Sequence, residues 1–384
     1  MVAGKITVVQ MLPDLHSGGV ERGTLELGSY LSQRGHRSIV ISNGGRLVPR
    51  LEQEGSSHLC WPVGKKSPAT FKYLLPLRKF LLEQKVDILH LRSRVPAWLG
   101  YLAWLSIPPA KRPTLITTFH GFYSINKYSA IMTKGERVIA ISRTIAQHIK
   151  ENYHIQAEKI VTIHRGVDID AFDPAKVSEE RLTILQKQWR ISGNPTPIIM
   201  LPGRISPWKG HDILIQALAE LKDLAWTAVF IGDPAGNPRL TDNLKEMLQK
   251  YHLTRRVKFV GHCDDMPAAY LLADLVVSAA STEPEAFGRV SVEAAAMGKP
   301  VIASAHGGSL ETVLPGKTGW LVKPNNAHSL AKALAPAIVD HDLRRKLGRQ
   351  GQDWVRNNFT VAGMCAKTLT LYEELLLKRK VNSE

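Results

Sequence analysis

The chain has 384 residues, 44% of them hydrophobic, and at roughly 100–200 residues per domain this length favours two domains. Its three widely spaced cysteines, Cys60, Cys263 and Cys365, argue against a disulfide framework and against a four-cysteine zinc site, and no apolar run reaches the ~18–20 residues of a membrane-spanning helix. The formal net charge of +16 turns attention to anionic partners: nucleic acid, an acidic membrane surface or a phosphorylated substrate.

In chain order, the opening "MVAGKITVVQMLPDLHSGG" has no charged segment followed by a cleavable apolar core, so a reducing, cytoplasmic location is the expectation. "KITVVQML" (5–12) reads as a buried strand followed by the helical run "GVERGTLELGSYLSQRG". "RSIVIS" (37–42), "VDILHLR" (86–92), "TLITTFH" (114–120), "RVIAIS" (137–142) and "KIVTIH" (159–164) have the same strand character, with helical stretches such as 68–85 and 144–153 between them. This alternation predicts a parallel sheet covered on both faces. "ISGNPTP" (191–197) interrupts it and reads as a linker. The rhythm then restarts with "PIIMLPGR" (197–204), "WTAVFIG" (226–232), "RVKFVG" (256–261), "DLVVSA" (274–279) and "PVIAS" (300–304), and 360–380 reads as a long amphipathic helix. The predicted class is α/β, with two doubly wound halves facing each other across a cleft.

Ligands of open α/β sheets sit at the carboxyl ends of strands. After the first strand, Gly18 and Gly19 precede a helix, which lets backbone approach a ligand and points a helix N-terminus at an anion. The spacing is not that of a dinucleotide fingerprint, and a tight turn into a helix explains it equally well. His120 ends the strand at 114–120 beside a glycine, where it can bond a sugar hydroxyl or move a proton, or serve the core as an ordinary structural histidine. Arg204 and Lys209 lie on one strand-to-helix connection, a pair of cations suited to a diphosphate.

The stretch "EPEAFGRVSVEAAAMGKPVIAS" (283–304) places Glu285 before a helix and Glu293 inside it. Six or so helical steps separate them by about 9 Å. That is too far for two carboxylates working on one bond as retaining hydrolases do, at about 5 Å. It suits the two ends of an extended ligand such as a nucleotide sugar, with the backbone N–H groups of Ala286, Phe287 and Gly288 meeting the anionic middle and Glu293 accepting from the ribose hydroxyls.

Taken together these segments resemble the retaining GT-B glycosyltransferases of family 4, also called glycosyl transferases group 1. "EAFGRVSVEAAAMGKPVIAS" matches that family's signature of two glutamates with Glu285 and Glu293, "GRISPWKGHDILIQAL" its donor-phosphate segment with Arg204 and Lys209, and "AHGGSLETVLPGKTGWLV" the stretch that follows; "SGGVERG" and "TTFHG" resemble its glycine loop and histidine position. The resemblance implies two Rossmann-like domains: an acceptor-binding one over 1–190, a nucleotide-sugar-binding one over 191–359, and a helix over 360–384 that crosses back to the first. It implies a hexosyltransferase-type, retaining reaction without metal or other cofactor, the nucleotide sugar being a substrate. His120 would hold the sugar's outer hydroxyl and Glu285 would orient the donor ring. Asp168 and Asp170 form an Asp-x-Asp, but within "RGVDIDAFDP" they match an ordinary loop of that family rather than a metal site. In "HCDD" (262–265), Asp264 or Asp265 is expected to cap the following helix.

The acceptor is read from the first half, where about 27 Lys+Arg face about 15 Asp+Glu over residues 1–190. Arg92 and Arg94 are expected at a strand end facing the cleft, with Arg46, Arg50, Lys65 and Lys66 adding charge. Such groups suit a phosphorylated, lipid-linked glycan and a peripheral position on the cytoplasmic face of an anionic inner membrane. "RSRVPAW" and "TTFHGFYS" also resemble bacterial enzymes of lipopolysaccharide-core and surface-polysaccharide assembly. Two other readings compete. A sugar-nucleotide epimerase of the same fold would need no basic acceptor face. A basic nucleic-acid-binding protein would carry a reader module, and none is recognisable.

Overall fold

Strands form where β-branched runs are covered from both sides, and β1 (Thr7–Met11), with four of its five residues buried, is the pattern for the rest. The computed structural model describes residues 4–381 apart from Ser17, Ser192 and Asn194. Ser17 of the glycine loop, and Ser192 and Asn194 of the linker stretch, therefore lie outside the described residues.

The chain divides into two compact units. One runs to Arg165 and takes the chain back from Val361; the other is Gly166–Thr360. The boundary thus falls before residue 190. The helix Glu179–Trp189 buries Leu185 and Trp189 in a core with Met200 and Tyr270 of the second unit. Arg181 of that helix forks onto Asp265 with bonds of 2.7 and 2.6 Å, so residues 166–190 belong with the unit they precede.

The first unit is a seven-stranded parallel sheet, β1, β2 (Arg37–Ser42), β3 (Ser57–Cys60), β4 (Ile88–Leu91), β5 (Thr114–Phe119), β6 (Arg137–Ala140) and β7 (Ile160–Thr162), in the order β3-β2-β1-β4-β5-β6-β7. The helix Val361–Val381 completes its core: Cys365, Leu369, Tyr372 and Leu375 pack with Leu27, Leu31, Ile88 and Ile116. Arg379 near its end reaches Glu136 at 2.7 Å.

The second unit is a six-stranded parallel sheet, β8 (Ile198–Pro202), β9 (Thr227–Ile231), β10 (Val257–Phe259), β11 (Leu275–Ser278), β12 (Val301–Ser304) and β13 (Gly319–Val322), in the order β10-β9-β8-β11-β12-β13. In each sheet the winding reverses beside the first strand, between β1 and β4 and between β8 and β11, as in Rossmann-like folds. Asp265 caps the helix Met266–Leu272 by accepting from Ala268 N at 3.2 Å. No helix among the described residues is long and apolar enough to cross a membrane.

Candidate functional site

In the second unit, the loops leaving β8 and β11 meet at the reversal point. Ser281 N donates to Trp208 O at 2.7 Å, tying one loop to the other. Gly210, at φ 70°, makes the contact possible: a Cβ there would lie 1.9 Å from Ala279 O. This brings Lys209 beside Glu285 as a largely buried ion pair, their side chains 16% and 14% exposed. The Lys209 ammonium also sits 4.1 Å from the centre of the Trp208 ring, where the ring face adds to its electrostatic holding. Arg204, on the same connection, is exposed.

The loop carrying Glu285 is gripped from its other side. Gly308 N donates to Glu285 O at 2.7 Å, and a Cβ on Gly307 would lie 2.3 Å from that same oxygen. Gly288, at φ 90°, is the N-cap of the helix Arg289–Ala296, so the helix starts immediately after it. Ala286 and Phe287 therefore precede the helix and already have interactions of their own. The Phe287 ring is buried, edge-on to Phe359 with centroids 5.7 Å apart.

Glu293 lies inside the helix and is buried at 8% exposure. Arg289, one turn earlier, donates to its Oε1 at 3.1 and 2.9 Å, and Tyr270 Oη donates to its Oε2 at 3.1 Å. Oε1 has thus accepted twice, while Oε2 keeps a lone pair for a further donor. Nearby, His211 opens the helix His211–Glu220 with its ring edge-on to Phe230 at 5.2 Å. Burial and the Lys209 charge push its pKa down to about 4.

In the first unit, Gly18 (φ 131°) caps the helix Gly19–Gln33, of which Gly19 is the first residue. Glu21 in its first turn has its carboxyl pKa raised by burial. Four residues from separate elements surround a small cavity of about 30 Å³: His90 of β4, Arg92 after it, His120 after β5, and Arg165 after β7, room for about one or two waters. Gly23 of the helix is the residue that admits the guanidinia, since a Cβ there would lie 2.0 Å from Arg165 Nη1 and 3.2 Å from Arg92 Nη2.

Arg165 Nη2 lies 2.8 Å from His120 Nδ1. A guanidinium can only donate, so Nδ1 accepts and the neutral ring carries its proton on Nε2. That Nε2 is buried and has no partner among the described residues. Burial first, then Arg165 and Arg92, hold the His120 pKa well below its usual range. His120 is thus a fixed hydrogen-bond donor at neutral pH. His90 is likewise held neutral by burial and the same two arginines, and bonds Tyr372 Oη and Thr118 Oγ1, both at 2.6 Å.

Arg92 stands at the strand end, immediately after β4. It is 5% exposed and donates to Gln10 Oε1 of β1 at 2.9 Å. Arg94 opens the next helix, donating to Ser129 Oγ at 3.3 Å with its guanidinium 4.7 Å from the Tyr123 ring centre. Arg46 donates to His16 O at 2.8 Å and Arg50 pairs with Glu54 at 2.6 Å. Asp168 accepts from the Asp170 and Ala171 amides at 3.0 and 3.1 Å, and Asp170 pairs with Lys176 at 3.0 Å, which is loop closure. Sequence reasoning passed over Arg165, Gly23 and Gln10. A charged residue after a strand in "TIHRGVD" and a polar one within "TVVQM" are the signals that were available.

Two family models match the chain: Glycosyltransferase Family 4 over residues 17–171 and Glycosyl transferases group 1 over 185–354. A solved glycosyltransferase from Rickettsia africae is 39% identical, with 97% of this chain and 99% of that one covered at a TM-score of 0.89. The HepE protein of Anabaena, solved with UDP-glucose, is 25% identical, with 95% of this chain and 99% of that one covered at a TM-score of 0.79. D-inositol 3-phosphate glycosyltransferase of Corynebacterium glutamicum is 29% identical over 246 residues, 62% of this chain but 57% of that protein; the chain thus spans little more than half the length of that curated relative. With both units carrying the fold and the motifs in place, the chain belongs to the group 1 glycosyltransferases and has the GT-B fold.

Proposed function

We propose that the chain transfers a sugar from a nucleotide-sugar donor to an acceptor hydroxyl with retention at the anomeric carbon and without a metal. The reading rests on one observation above the others: at the reversal point of the second sheet, Lys209 and Glu285 form an ion pair on two interlocked loops, with Arg204 exposed on the same connection as Lys209. Lys209 and Arg204 would take up the negative charge that grows on the departing diphosphate. Glu285, released from Lys209 by that diphosphate, would orient the sugar and support its positive charge. Glu293 would accept from a ribose hydroxyl through the remaining lone pair on Oε2. Gly18 and Gly19 would let backbone approach the donor, and His120 would donate its Nε2–H to a sugar hydroxyl. The UDP-glucose bound by the Anabaena relative supports a donor of this class.

The acceptor we propose is an anionic, lipid-linked glycan of lipopolysaccharide-core or surface-polysaccharide assembly, met at the cytoplasmic face of the inner membrane. The basic first half and Arg94 at a helix start support it. The test is a screen of UDP-, GDP- and ADP-sugars, measuring released nucleoside diphosphate with and without lipopolysaccharide precursors. Acceptor-dependent release with an α-linked product from an α-donor is the expected result. Conversion of the donor alone to an epimer, or no turnover with any donor, overturns the reading.

A further inference from the structure

The first unit has a second concavity, built from different residues than the cluster around His120. It holds about 460 Å³ and is walled by Phe71, Val95, Trp98 and Leu99, within the size of pockets that enclose a small organic ligand. The loop 65–70 forms one side. Thr70 Oγ1 donates to Lys65 O at 2.8 Å and Ser67 Oγ accepts from Ala69 N at 3.3 Å, so this loop is pinned by its own side chains. The helix Arg94–Leu105 forms the other. Trp98 Nε1 spends its one polar atom on Tyr128 O at 3.1 Å, leaving the ring as an apolar wall.

Two features say what fits. The wall offers little to a polar ligand, and Phe71, 49% exposed, together with Leu75, 69% exposed a turn further on, continues the apolar surface outward. Apolar area left open like this marks a binding surface. At the rim stand Lys65 and Lys66, both exposed, and no Asp or Glu among the described residues lines the pocket. A hollow apolar interior with two ammonium groups at its mouth is complementary to a hydrocarbon chain ending in an anion. A bilayer surface would meet the rim and the exposed side chains but would leave the interior empty.

We infer that this pocket binds the alkyl chain of a single-chain lipid phosphate, with Lys65 and Lys66 holding the phosphate. The inference deepens the acceptor reading above and rests on it for the source of such a lipid; the binding chemistry rests on the pocket. Dodecyl phosphate below its micellar concentration, titrated calorimetrically into the full chain, is the probe, with dodecanol and inorganic phosphate as controls and phosphatidylglycerol vesicles as a separate arm. One dodecyl phosphate binds per chain, dodecanol binds more weakly, and inorganic phosphate gives no heat. Val95→Phe, which fills the interior, weakens binding at least about tenfold while nucleotide-sugar binding stays as it was. Lys65→Glu with Lys66→Glu, at exposed positions where folding is not at stake, weakens it about tenfold and abolishes its salt dependence. Absence of dodecyl phosphate binding overturns the inference. So does binding that neither variant changes, or binding confined to vesicles and equal in Val95→Phe, which would make the surface a membrane contact. If the lipid binds and no nucleotide sugar is ever turned over, the sugar-transfer reading fails and the pocket stands; turnover without lipid binding gives the reverse.

Discussion

In the second unit two site cations have carboxylate partners: Lys209 with Glu285 and Arg289 with Glu293. In the first unit Arg92 bonds the neutral amide of Gln10 and Arg165 donates to the imidazole of His120. The two arrangements suit different chemistry. A paired cation is exchangeable, since an arriving diphosphate can replace the carboxylate and release it for another task. A cation set against an imidazole fixes a protonation state instead, because protonating the ring would place like charges side by side at low dielectric. Charge is thus movable in one unit and locked in the other.

The largest effect expected from breaking this contrast is at Lys209. Lys209→Ala lowers donor turnover about 100- to 1000-fold, the range seen when one donor to a developing oxyanion is lost. It also strands Glu285, so Lys209→Ala with Glu285→Gln serves as the control. The double variant melts closer to the parent and remains inactive; recovery of turnover there would show that the lysine acts merely by neutralising its neighbour.

Next is the acid sensitivity of the second unit. Neither ring nitrogen of His211 has a partner among the described residues, and its pKa lies at about 4 against 6.5 in an open chain. The folded state therefore binds fewer protons than the unfolded one between these values. Stability is fully present above pH 6.5 and falls as pH drops towards 4, by up to about 3 kcal/mol at ~1.36 kcal/mol per pKa unit. His211→Phe, which keeps a ring against Phe230, removes this loss. Urea melts of both proteins at pH 7 and at pH 4.5 measure it, and a parallel pH dependence in the two would refute it.

The locked side is tested at Arg165. Arg165→Met removes a charge-assisted bond, and at about 1.5–3 kcal/mol for such a bond turnover falls about 10- to 100-fold. A merely structural arginine would leave His120 untouched, whereas here its titration, followed by NMR, moves up towards the ordinary histidine range. Arg165→Lys, which keeps the charge without the fork, recovers part of that shift.

How far the sequence disclosed this depends on where each signal lay. The central strands were readable because burial on both faces makes them continuous Val/Ile runs, as in β8 "IIMLP" and β11 "LVVS". The edge strands β3 "SHLC" and β13 "GWLV" were missed, being four residues long and partly exposed. Lys209, Glu285 and Glu293 were legible through loop position and spacing, but the pairing of Lys209 with Glu285 was not, because these residues, 76 apart in sequence, meet through a close turn at Gly210. The burial of Arg92 was not legible for a related reason: a strand-end cation does not disclose its buried partner, here Gln10 on a neighbouring strand. Arg165 went unnoticed because its role is defined by His120, 45 residues earlier.

The smallest expected effect concerns the link between the returning helix and the locked site. Tyr372 of the helix Val361–Val381 is fully buried, and burial raises its phenol pKa, so the hydroxyl stays protonated. It bonds His90 Nδ1 while His90 Nε2 bonds Thr118, two contacts of 2.6 Å that span from the helix through β4 to β5. Tyr372→Phe keeps the ring and its apolar packing but leaves Nδ1 without its partner, which costs about 1–3 kcal/mol. Tyr372→Phe with His90→Leu deletes both ends of the bond, and the loss is then smaller than the sum of the two single losses, by the coupling that a double-mutant cycle reads. If the two losses add, the hydroxyl and the imidazole act independently, and the helix is held by its apolar face alone. If they couple, the C-terminal segment helps keep β4 and β5 in register beneath His120, and truncating it loosens the fixed donor as well as the fold.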